Sequence, residues 1–141
     1  MFFKKLLRKI LVLVLILALG YGCWMLYDQK KTRNTEIGNE FATAYRALVE
    51  ELAKETPNTT ESVRQGAVMR AMYQKSKYCK GDETDLTKVV DALYSASANP
   101  SELPINEETK TILLEVYQKS FSEKSIKAAK ERIDTVRSVL S

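Results

Sequence analysis

The sequence predicts an all-α protein: an N-terminal single transmembrane helix (or signal/lipoprotein segment) over residues 1–33, then a small bundle of four or five amphipathic helices over 34–141. Three observations carry this. Residues 10–27 hold 18 positions without a charge, ten of them Ile, Leu or Val. Beyond them apolar residues recur at three- and four-residue spacing, the period of a helix with one buried face. No segment alternates apolar and polar residues over the length of a strand.

The first element is set by length and flanks. As a helix, 18 residues rise about 27 Å, close to the hydrocarbon thickness of a bilayer. Ile10, Leu11, Leu13, Leu15, Ile16 and Leu17 are its anchor residues, and ten such side chains favour insertion by about 3 to 6 kcal/mol. Phe2 and Phe3 precede the run, and Tyr21, Trp24 and Tyr27 sit near its end, as expected of rings at headgroup level. The charge is partitioned accordingly. The net +4 lies entirely in residues 1–27, as Lys4, Lys5, Arg8 and Lys9, while residues 28–141 hold 18 bases and 18 acids. A basic patch for nucleic acid is therefore not expected, and membrane lipid is the partner that the basic flank suits. Four cations and the terminal amine stand against Lys30, Lys31 and Arg33, which favours a cytoplasmic N-terminus and an extracytoplasmic C-terminal domain at the cell (inner) membrane.

The segment also fits a cleavable signal peptide, with a basic start, an apolar stretch and the small-x-small triplet Gly20-Tyr21-Gly22. Followed by Cys23, that triplet resembles a bacterial lipobox, and the resemblance implies a lipidated Cys23 at a mature N-terminus. Leu19 lies one place too early, Tyr21 is bulky, and Trp24-Met25-Leu26-Tyr27 prolongs the apolar stretch. These departures favour a retained anchor.

The next stripe, Ile37, Phe41, Ala44, Tyr45, Leu48 and Leu52, predicts a helix over about 35–55, stopped by Thr56-Pro57. Asn58 with Glu61 reads as a capping box, followed by a buried stripe of Val63, Ala67, Val68, Ala71 and Met72. Gly81 suits a C-cap after Cys79-Lys80, and Asp82, Glu83 and Asp85 suit the first turn of a third helix. Leu86, Val89, Val90, Leu93 and Tyr94 would be the buried face of that helix. Pro100 and Pro104 make 99–104 a loop. Asn106 opens a fourth helix, with Glu107 and Glu108 in its first turn and Ile112, Leu113, Val116, Tyr117 and Phe121 facing inward. Ile126, Ala129, Ile133, Val136 and Leu140 form the seam of the last helix, which either starts at a Ser122 cap or continues the fourth as one bent rod.

Chemistry-bearing patterns are few. The chain contains no His, which excludes Ser-His-Asp triads, Cys-His pairs and His-ligated metals. Cys79, the one Cys beyond the anchor, reads as a small packed residue, with a disulfide or partner contact as the sharper alternative. The Asp82, Glu83, Asp85 group lacks the ligand spacing of a calcium loop. Glu50-Glu51 and Glu107-Glu108 are adjacent pairs that point about 100° apart on a helix. Asn58-Thr59-Thr60 matches an N-glycosylation sequon. Tyr45, Tyr73, Tyr78, Tyr94 and Tyr117 suit core or interface positions, and Lys119, Lys124, Lys127, Lys130, Arg132 and Arg137 a solvated face. No cofactor, metal or small-molecule substrate is expected. The expectation is a non-enzymatic, membrane-tethered interaction or scaffold protein, an accessory or inhibitor/immunity-type component of a cell-envelope complex docking a protein partner. An envelope enzyme using carboxylates, Tyr or Lys, and a lipoprotein with a binding role, are the alternatives.

Overall fold

A computed structural model describes residues 2–140. Among the described residues the secondary structure is helical, without strands: α1 (Phe2–Leu52), α2 (Thr59–Lys75), α3 (Asp85–Ala98), a 3-10 turn (Pro100–Glu102), α4 (Glu107–Gln118) and α5 (Glu123–Leu140). They form two compact units, Met1–Thr35 and Glu36–Ser141. The first is the apolar helix with its basic flank, every described residue of it exposed except the half-buried Gly22.

The stripe from Ile37 does not begin a helix of its own, because α1 runs unbroken through residues 28–36. That stretch contains neither Pro nor Gly, and Thr and Asn are weak helix formers rather than helix breakers. Thr35 Oγ1 donates to the Lys31 carbonyl at 3.0 Å, so even the hydroxyl is accommodated by the helix.

In the second unit, Phe41, Tyr45, Leu48 and Leu52 of α1 are buried as their spacing predicts, together with Val49. Asn58 caps α2, its side chain accepting from the Glu61 amide at 3.2 Å. The reciprocal half of the capping box is absent. The Asn58 amide donates instead to Glu51 Oε1 at 2.8 Å, while Lys54 Nζ holds Glu51 Oε2 at 2.6 Å. A nearly buried carboxylate thus ties the end of α1 to the start of α2.

The buried face of α2 differs from the expected stripe. Val63 and Val68 are 43% and 39% exposed, Ala67 and Ala71 face outward, and Met72 is half-buried. Ser62, Gly66, Met69 and Tyr73 are buried instead. The cause is close helix approach: a Cβ at Gly66 would lie 2.5 Å from Ser97 Oγ and 2.7 Å from Ser97 Cβ. Ser62 Oγ donates to the Ser97 carbonyl at 2.7 Å across the same crossing. Small residues let α2 approach α3 where larger apolar ones would hold it off.

α2 ends at Lys75 with Ser76 as its cap, so Gly81 is not its C-cap but a loop residue, at φ 120°. The third helix starts at Asp85 behind the cap Thr84, which leaves Asp82 and Glu83 in the loop rather than in the first turn. Leu86, Val89, Val90 and Leu93 are buried. Tyr94 is not; it is 37% exposed, with Arg70 stacked 4.5 Å from its ring centroid. Asn106 caps α4, accepting from the Thr109 amide at 2.8 Å.

α4 and α5 are separate helices. The Phe121 amide reaches the Val116 carbonyl at 2.8 Å and the Ser120 amide the Tyr117 carbonyl at 3.1 Å, the bonding of a Schellman motif. Ser120 and Phe121 both have positive φ, 53° and 59°. Ser122 then caps α5 through its Oγ and the Ser125 amide at 3.4 Å. Of the seam of α5, Ile126, Ala129 and Ile133 are buried and Val136 half-buried, whereas Leu140 is 53% exposed.

Candidate functional site

The residues that sequence singled out as membrane anchor lie on one continuous helix. None of the most apolar 18-residue window of α1 is buried, and its length and composition suffice to cross a membrane. A core helix of a soluble protein would have this surface covered, and here it is bare. Ile10, Leu11, Leu13, Leu15, Ile16, Leu17, Trp24 and Tyr27 all point outward around the helix. Lys5, Arg8 and Lys9 share a face with Val12, Leu13 and Ile16, cations placed one turn from apolar side chains. Cys23 is exposed and Cys79 half-buried, and both are free thiols. Cys79 lies in the α2–α3 loop rather than at the end of α2, packed against the core.

A cleft of about 650 Å³ opens in the second unit between the α2–α3 loop, the α4–α5 turn and the start of α5. The cleft carries no sequence signature, because Tyr78 and Phe121 lie 43 residues apart and no motif joins them. Its floor is Tyr78, Leu86, Phe121 and Ile126. Ring contacts build the floor. Phe121 packs its ring against Phe41 and Tyr78 in tilted geometry and edge-on against Tyr45, at centroid distances of 5.0, 4.8 and 5.6 Å. These contacts hold a bulky residue in a left-handed conformation that costs about 1 to 2 kcal/mol. On the loop side, Thr87 Oγ1 donates to the Gly81 carbonyl at 2.7 Å and shares a 2.6 Å hydrogen bond with the Tyr73 hydroxyl, pinning the loop to α3. Lys77, Lys80 and Lys127 stand at the rim with Asp85 and Glu123.

The remaining polar groups are used structurally. Tyr45 donates to the Leu113 carbonyl at 2.7 Å, and burial pushes its phenol far above the ordinary range. Burial also raises Tyr73, opposed by its hydrogen bond to Thr87. The hydrogen bond from Lys54, then that from the Asn58 amide, lowers Glu51. Arg64 and Gln65 hold Glu61 down to about 2. The adjacent acids diverge as helix geometry requires: Glu50 pairs with Arg46 at 3.1 Å while Glu51 turns to Lys54, and Glu108 reaches Arg132 at 3.4 Å. Among the described residues, no three of Cys, Asp and Glu are grouped to hold a metal ion. Tyr117 is half-buried under Arg46, 5.7 Å from its centroid. On α5, Lys130 pairs with Asp134 at 3.3 Å, and Arg132 with Thr109 as well as Glu108.

No family model, no curated protein and no solved structure matches the chain.

Proposed function

We infer that this is a membrane-tethered, non-enzymatic interaction protein: a single-pass chain with a cytoplasmic N-terminus, whose residues 34–141 form a helical bundle outside the cytoplasm. The observation that carries the reading is the bare apolar segment of α1, with four cations before it and a charge-balanced tail behind it. A surface of that extent is stable in water only if something covers it, and at about 27 Å of helix a bilayer is the matching cover. The tail then serves as the working part. Two Arg–Tyr stacks on its surface, Arg70 on Tyr94 and Arg46 on Tyr117, are residue types that dominate protein interfaces. Tether and surface together support an accessory or inhibitor/immunity-type role in a bacterial cell-envelope complex.

A second reading, a lipoprotein attached through Cys23, is favoured by the exposed free thiol directly after Gly22. Protease treatment of spheroplasts tests the topology common to both. Digestion of the tail without permeabilisation is expected. A tail protected until the membrane is opened would place it in the cytoplasm and overturn the reading.

A further inference from the structure

We propose that the cleft between the α2–α3 loop and the start of α5 binds a monoanionic phospholipid, its headgroup among the three rim amines and its acyl portion on the aromatic floor. The volume of about 650 Å³ falls within the about 300 to 1,000 Å³ of small-ligand sites. Tyr78, Leu86, Phe121 and Ile126 supply an apolar surface that is already formed, since the ring packing against Phe41 and Tyr45 fixes Phe121 in place.

The charge pattern selects the ligand. Among the described residues, no carboxylate lies within 4.0 Å of the amines of Lys77, Lys80 or Lys127, so none of the three is neutralised by an ion pair. Lys77 Nζ sits 5.4 Å from the Tyr78 centroid, which keeps one cation over the floor. Asp85 and Glu123 on the same rim leave a net charge of +1. That balance suits a single negative charge and offers a polyanion such as nucleic acid too few cations to pair its phosphates. The choice of a lipid over a soluble amphiphile rests on the membrane-tethered reading, because a tether keeps the bilayer the most concentrated amphiphile near the tail.

The test uses the full chain, with labelled Ile and Leu methyl groups, in phosphatidylcholine nanodiscs titrated with dihexanoyl phosphatidylglycerol. The methyls of Ile126 and Leu86 should move saturably while that of Ile112 stays. Dihexanoyl phosphatidylcholine should need about tenfold more lipid for the same movement, the ratio expected for about 1.4 kcal/mol of charge attraction. Substituting the exposed lysines together (Lys77→Gln, Lys80→Gln, Lys127→Gln) should abolish the preference and leave the Ile133 methyl unmoved. Equal affinity for the two lipids, or a preference that survives in the triple variant, would overturn the proposal. So would equal binding of glycerol phosphate, which would make the site a phosphate site, or of decanoate, which would make it a fatty-acid site. A chain that elutes apart from the nanodiscs would overturn the tethered reading; a chain that stays with them while its cleft methyls do not move would overturn the cleft assignment alone.

Discussion

Replacing Gly66 with Ala should destabilise the tail by about 2 kcal/mol, although the same change on an exposed helix stabilises by about 1 kcal/mol. The added Cβ would sit 2.7 Å from Ser97 Cβ, and about 0.7 Å of retreat is needed to restore ordinary contact. Rotation of the Ser97 hydroxyl cannot supply it, since the Ser97 Cβ itself is in the way. Either α2 and α3 separate or the backbone bends, at about 1 to 3 kcal/mol for overpacking. Separation also stretches the 2.7 Å bond from Ser62 Oγ to the Ser97 carbonyl, worth about 1 kcal/mol when buried. Against these stands the propensity gain of about 1 kcal/mol. Denaturant unfolding of the full chain in micelles, followed by circular dichroism, reads the sign directly. The partner change Ser97→Gly opens the space and keeps the accepting carbonyl, so the double variant should recover most of the loss. A Gly66→Ala chain more stable than the parent, or a cycle without coupling, would refute the close crossing.

Other consequences are open to the same assay. Ile133, 3% exposed in the core, should not tolerate Asp: an unpaired charge there costs more than about 3 kcal/mol, and an unchanged melting temperature would show the α5 seam to be exposed. Ser120→Gly should stabilise by about 1 kcal/mol, because Ser120 holds φ 53° at the helix terminus where glycine carries no Cβ penalty; a loss of stability would mean the turn is not left-handed. Acid should weaken the fold in a defined window. Glu61 is held at about 2 against 4.5 when free, so its contribution is complete above about 4.5 and disappears as pH falls towards 2, where the unfolded chain binds the proton first. Glu61→Gln should flatten the stability slope between those values, and a slope identical to the parent's would remove Arg64 and Gln65 as the cause.

Most helices were legible because their signals are local. Phe41, Tyr45, Leu48 and Leu52 mark one face by spacing alone, and Asn58 and Asn106 mark starts because a cap needs only a side chain and an amide three residues on. The misreadings concern tertiary choices. The face of α2 is chosen by how closely α3 can approach, so Gly66 and Ser62 are buried and Val63 and Val68 are not. Gly66 was the available signal, a helix-interior glycine whose usefulness appears only at a crossing. Gly81 is the residue type of a helix end yet lies in a loop, while the α4 terminus uses Ser120 in the left-handed position and so carries no glycine to mark it. The cleft was illegible for a related reason: its floor joins Tyr78 to Phe121 through ring packing that no spacing rule encodes.

The mass of the intact chain recovered from a carbonate-washed membrane pellet tests the tethered reading most directly. A mass equal to all 141 residues in the pellet is the predicted result, since the unburied apolar segment of α1 is then still attached and still in lipid. A chain found in the wash, or a pellet mass beginning at Cys23 with added acyl groups, would contradict a retained transmembrane anchor.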